Sequence, residues 1–142
     1  IFEHGVPGPP IDDDLVFEGA GTLESGMKAV GQMLSTPQPP TALFCFNDLT
    51  AIGVIKGLQQ SGAEVPRDYS VVGFDSLEIA SYYCPPLTTV HQPTYRLGQG
   101  AINMLLALIQ GESNLSPKRL PTELVMGGST GPAPRPASEG YD

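Results

Sequence analysis

Residues 40–75 read PTALFCFNDLTAIGVIKGLQQSGAEVPRDYSVVGFD. Pro39-Pro40 closes one element, and an apolar run over 42–46 opens the next. A short apolar run bounded by turn signals fits a strand buried on both faces. Asn47-Asp48 ends it, and Asp48 is placed to cap a helix over 49–60 that Gly62 stops. A second buried strand over 70–74 ends at Asp75. Strand, helix, strand is one βαβ unit, whose right-handed crossover sets two parallel strands in one sheet.

The same alternation extends outward. On the N-terminal side, a strand is expected over 15–18. A helix follows over 23–34, with Thr22 as N-cap and Met27, Val30 and Leu34 on one face. On the C-terminal side come a short helix or turn over 77–83, broken by Pro85-Pro86, and a strand over 87–90. A helix over 95–110 carries Leu97, Ala101, Met104, Leu105 and Leu108 on one stripe and stops at Gly111. A last strand covers 122–126. The pattern predicts an α/β fold, a parallel sheet with helices on both faces. Residues 1–10 read as the frayed end of a preceding helix, stopped at Gly5 and Pro7, which suggests a piece of a longer chain. Residues 131–142, rich in Gly, Pro and Ala, read as a disordered tail.

With 142 residues the chain is long enough for one domain with its own core. Fifteen acids against seven bases give a net charge of -8. Such a chain has no field to draw in a phosphate backbone, so this stretch alone is not expected to bind nucleic acid. No apolar run approaches the roughly 18 residues that span a membrane. The two cysteines, Cys45 and Cys84, form no CxxC pair, and Cys45 sits in an apolar run as a small hydrophobe. This usage suits a reducing, cytoplasmic setting.

In open parallel sheets, ligands bind beyond the carboxyl ends of the strands. Asn47 and Asp75 occupy two such ends. An amide offers two donors and an acceptor, and a carboxylate offers acceptors only. Together they suit a neutral polyol or heterocycle bearing hydroxyl or N–H groups. The competing reading is that Asp75 caps a helix at Ser76 or Leu77. Catalysis finds little support. His4 lies in the frayed opening, His91 has no evident acid or serine partner, and there is no Gly-x-Ser-x-Gly elbow. Gly19, Gly21 and Gly26 make no phosphate or dinucleotide fingerprint, so no cofactor is expected. Two distant His and two Cys, both expected buried, give no metal spacing, and Asp12-Asp13-Asp14 reads as a solvated loop rather than a calcium site. The helix over 49–60 is apolar nearly all round: Ala51, Val54, Ile55 and Leu58 form one face, and Leu49 and Ile52 point elsewhere. Its second face meets either another layer of the same chain or a second subunit.

An ordered set of segments resembles the lactose/galactose repressor family of bacterial transcription regulators. These are PTALFCFND (40–48), AIG (51–53), Ser61-Gly62, Val65-Pro66, SVVGFD (70–75), PPLTTV (85–90), Gln92-Pro93, LPTELV (120–125) and Gly128-Ser129-Thr130. The resemblance implies one subdomain of two in a type I periplasmic-binding-protein-like fold. This would be the C-terminal part of an effector-binding and dimerisation domain over 1–130, with 91–119 crossing to the other subdomain. It implies a small-molecule effector such as a sugar or nucleobase, a homodimer, and operator DNA reached only through an N-terminal domain not in this chain. Asn47 and Asp75 match effector-contacting positions, with Gln92, Thr94 and Thr22 carried over beside them. Leu49, Ile52 and Tyr83 fall in dimer-contact segments. Some positions depart from the pattern: an arginine that relatives offer to sugar hydroxyls would precede residue 1. Gly21 and Thr94 stand where members often carry an aromatic.

The helix over 95–110 would pack on the other subdomain. Its stripe should therefore meet a partner chain, swap between chains, or fold back on the sheet, since each buried Leu is worth roughly 1.5–3 kcal/mol. Two other functions keep the fold but change the role. A solute-binding protein of a transporter would carry a signal peptide upstream, and an α/β enzyme would need a paired nucleophile and base.

Overall fold

The structure is a computed structural model that describes residues 12–133. The expectations for residues 1–10, including His4, and for most of the tail lie outside that range. Helix α1 (Leu23–Leu34) starts where expected. Thr22 Oγ1 accepts the Ser25 N–H at 3.1 Å, and Ser25 Oγ accepts the Thr22 N–H at 3.1 Å. Two N–H groups that a helix start leaves orphaned are thus satisfied reciprocally. Strand β1 (Ala42–Phe44), helix α2 (Asp48–Gln60), strand β2 (Ser70–Asp75), helix α3 (Glu78–Tyr82), strand β3 (Thr88–His91), helix α4 (Thr94–Ile109) and strand β4 (Glu123–Val125) follow.

The sheet has the order β1-β2-β3-β4. The first three strands are parallel, and β4 runs antiparallel to β3. The sheet is therefore mixed rather than wholly parallel. The cause is where the chain returns. It leaves β3 at His91, runs through α4, and re-enters at Glu123, which pairs with His91. A strand that comes back at the end its neighbour left can only run the other way.

Helix α2 is the centre of the packing. Ala51, Ile55 and Leu58 are wholly buried and meet Val71 of β2 in the core. The opposite side lies against α1 through small residues. A Cβ on Gly26 would meet the Thr50 carbonyl oxygen, and a Cβ on Gly53 would meet that of Leu23. The apolar second face of α2 is thus covered by a layer of the same chain. Ile52, only 5% exposed, belongs to that core, whereas Leu49 keeps 36% of its surface. Tyr83 packs at the core's margin.

Three expectations change. Residues 15–18 form no strand. Asp13–Leu15 is a 3-10 turn, with Asp12 as its cap accepting the Asp14 N–H at 3.1 Å. Local carboxylate caps compete with ladder bonds, and Val16 runs on extended and exposed beside β1. Second, the edge strand β1 is left partly uncovered: Phe44 is 68% exposed, its ring edge-on to Phe74 with centroids 6.4 Å apart. Third, α4 does not fold back on the sheet. It buries no residue, and Leu97, Leu105 and Leu108 all stay exposed, with Arg96 to Met104 flanking a shallow cleft shared with Lys118 and Leu120. In this single chain the helix stands ordered and bare along its stripe.

The segment after β4 is tied in closely. Ser129, fully buried, donates its hydroxyl to the Val71 carbonyl at 2.6 Å and accepts the Thr88 N–H at 2.8 Å. Its own carbonyl accepts the Val71 N–H at 2.8 Å. This stitch holds β2 and β3 together at the end opposite the candidate site.

Candidate functional site

The carboxyl ends of β1, β2 and β3 lie side by side. Phe44 is level with Val72, and Asp75 is level with His91. β1 ends at Phe44, and the Cys45 N–H still donates to the Val72 carbonyl at 2.8 Å before the chain bends at Phe46 and Asn47. Asn47, past β1, and Asp75, closing β2, lie beyond the carboxyl ends of neighbouring strands.

Asn47 is also structural. It is the N-cap of α2, its Oδ1 accepting the Thr50 N–H at 2.8 Å. Its Nδ2 donates to the Gly21 carbonyl at 3.1 Å, which ties the start of α2 to the loop that opens α1. Gly21 has φ 76°, and a Cβ there would press on the Phe46 ring and on Asn47 Nδ2, so glycine is needed on both counts. One Nδ2 hydrogen and one Oδ1 lone pair of Asn47 stay available for a ligand.

Asp48 does not cap α2. It is the first helical residue and is fully buried. Its Oδ2 accepts the Leu77 N–H at 2.6 Å, and its Oδ1 accepts the Thr89 hydroxyl. Asn47 caps the helix instead, and Asn and Asp are near-equal in that role. The N–H at the start of α3 decided between them.

Asp75 does not cap α3 either, because Leu77 is served by Asp48. Its Oδ1 accepts from Gln92 Nε2 at 2.8 Å. Asp75 and Gln92 are thus brought together. Asp75 lies at φ 109° and Ser76 at φ 57°, a left-handed pair without glycine. Such backbone is uncommon and clusters at functional sites. Thr22 spends its hydroxyl on its own helix. Thr94 is exposed at the first position of α4 and joins no side-chain bond among the described residues.

Phe46 was not singled out from sequence. Its ring lies against Gly19 and Gly21, 57% exposed, directly beside Asn47. An aromatic at a strand end is the only signal that could have found it. Among the described residues no cluster of three His, Cys, Asp or Glu could hold a metal ion, and no helix is long and apolar enough to cross a membrane. A cleft of about 670 Å³ runs along α1, lined by Glu18, Gly19, Ala20, Ser25 and Lys28.

The cysteines divide. Cys45 is buried as expected, and burial pushes its thiol from the usual 9.0 up to about 12. Cys84 is exposed, contrary to expectation. At pH 8 a thiol reagent should titrate Cys84 alone in the folded chain and both thiols once it is denatured, because the thiolate is the reactive form. Two rapid equivalents from the folded chain would contradict this. A raised folded-state pKa means the folded chain holds its proton more tightly. Cys45 therefore contributes fully below about pH 9, and that contribution is lost as pH climbs toward about 12.

Residues 4–130 match the family described as periplasmic binding protein-like domain. The chain is 41% identical over 124 residues to the HTH-type transcriptional repressor CytR of Escherichia coli (strain K12), covering 87% of this chain and 36% of that protein. It thus spans about a third of that relative's length. The crystal structure of the lac repressor dimer bound to operator and the anti-inducer ONPF superposes with a TM-score of 0.73 at 39% identity, covering 79% of this chain and 39% of that one. A LacI family transcriptional regulator from Enterococcus faecium with bound ribose superposes with a TM-score of 0.72 at 33% identity, covering 84% of this chain and 44% of that one.

Proposed function

Since the chain belongs to the periplasmic binding protein-like domain family, in its lactose/galactose repressor branch, we propose that it is the effector-sensing and dimerisation module of a DNA-binding transcriptional regulator. The observation that carries this reading is the Asp75–Gln92 hydrogen bond at the carboxyl ends of β2 and β3, with Asn47 past the end of the neighbouring β1, on a fold whose relatives are repressors. The effector is a small polar molecule, a sugar or a nucleobase, held by these three side chains with Thr94 and Thr22 at the margin. The ribose in the Enterococcus faecium regulator favours this class.

Residues 91–119 cross to a second subdomain in the whole protein. The unburied α4 supports this, since its apolar stripe needs a cover that the described residues do not supply. Leu49 and Tyr83 form part of a homodimer contact, with Ile52 supporting Leu49 from inside the core. Operator DNA is contacted through a separate N-terminal domain, in keeping with the acidity of this chain. The protein works in the cytoplasm, where free thiols such as Cys45 and Cys84 persist. Effector binding biases two clamp geometries and so changes operator affinity.

A thermal-shift screen of sugars and nucleobases on the full-length regulator tests this. A ligand at about 100 times its Kd adds roughly 2.7 kcal/mol of stability, a clear rise in Tm. A flat response across both classes would overturn the reading.

A further inference from the structure

Asp48 has no exposed surface, and a buried carboxylate persists only where donors surround it. Its donors come from two other elements. Leu77 N–H, at the start of α3, reaches Oδ2 at 2.6 Å. The Thr89 hydroxyl of β3 reaches Oδ1. Thr89 Oγ1 in turn accepts the Ser76 N–H at 3.3 Å. The room for this arrangement comes from Gly73, where any Cβ would meet Asp48 Oδ1 and the Leu87 side chain. The pair therefore holds two consecutive N–H groups, those of Ser76 and Leu77, from beneath.

Those N–H groups directly follow Asp75 and Ser76, the left-handed pair. An isolated chain would not keep two non-glycine residues there; surrounding bonds must over-determine the conformation. We infer that Asp48 and Thr89 are positioning residues for Asp75: their hydrogen bonds to the Ser76 and Leu77 N–H groups lock the turn that turns the Asp75 carboxylate toward Gln92. The functional weight of this turn rests on the reading that Asp75 meets the effector. The geometric claim stands apart from it. Because Leu77 also opens α3, the same carboxylate joins the candidate ligand edge to the segment that carries Tyr83.

Amide hydrogen exchange by NMR on the 142-residue chain tests the inference without any ligand. Thr89→Val keeps the shape and removes the hydroxyl, and Thr89→Ser returns it. In Thr89→Val the Ser76 and Leu77 amides should exchange about tenfold faster or more, and the Gln92 side-chain amide signals should shift toward their solvent-exposed values. The Ala51 and Val71 amides, bonded to Asn47 and Ser129 carbonyls, should hold their wild-type rates, and Thr89→Ser should restore the pattern. Unchanged exchange at Ser76 and Leu77 would overturn the inference. So would acceleration in step with Ala51 and Val71, which would mean a general loss of stability. The effector role of Asp75 is judged separately by its own substitution, so either claim can fail alone.

Discussion

Gly53→Ala should destabilise the chain by about 2 kcal/mol, although alanine is the better helix former by roughly 1 kcal/mol. The added methyl would sit inside the contact radius of the Leu23 carbonyl oxygen, with the Leu23 Cα carbon behind it. Backbone cannot rotate aside as a side-chain tip can, so α1 and α2 must move apart. Gly26 faces the Thr50 carbonyl in the same way, so the two helices touch through reciprocal glycines. Separating them loosens Val30, Met33 and Val54, all nearly buried at this crossing. Overpacking of this kind costs typically about 1–3 kcal/mol, and here the rigid obstacle puts it at or above the top of that range. Gly31 is the control. It lies in α1 with nothing within 4 Å of a built Cβ, so Gly31→Ala should stabilise by about 0.5–1 kcal/mol. Urea denaturation reads both as midpoint shifts of opposite sign at constant slope. A midpoint for Gly53→Ala at or above wild type would show that the crossing is looser than its geometry states.

The elements around this crossing were legible because they rest on local signals. Period and punctuation placed α1, α2, β2 and α4 within a residue or so. Asp75 was legible as a strand end, since a polar residue closing an apolar run needs no tertiary knowledge, whereas Asn47 stands three residues past β1 and opens α2. What escaped depended on partners distant in sequence. Residues 15–18 hold a short apolar run, as a strand would, but form no ladder among the described residues. The direction of β4 follows from where the chain returns after α4, which no residue of β4 encodes. The cap of α2 went to Asn47 because the N–H of Leu77, 29 residues on, claimed Asp48. Phe46 gained its place from Gly21, across the loop that opens α1. For the α2 cap and for Phe46 the missing information was a long-range hydrogen bond or contact.

Asp75→Ala in the full-length regulator should weaken effector binding about 10- to 100-fold and leave the dimer intact, as expected for loss of a hydrogen bond to a charged group. The effector meant is whichever sugar or nucleobase raises Tm in the screen. Asp75 is half-buried and bonds one described side chain, Gln92. Removing it takes the acceptor from the half-buried Gln92 amide alone, because the Ser76 and Leu77 N–H groups are held by Thr89 and Asp48. Stability and affinity should therefore separate here, whereas at Asp48 they could not. The backbone offers a sharper version. At φ 109° any side chain is strained, and glycine reaches that region without steric cost. Asp75→Gly should thus match Asp75→Ala in lost affinity while holding or raising Tm. A variant that binds more weakly while folding as well or better cannot owe its defect to misfolding. Calorimetry with unchanged affinity in both variants would remove Asp75 from the site and leave it as the end of a strand.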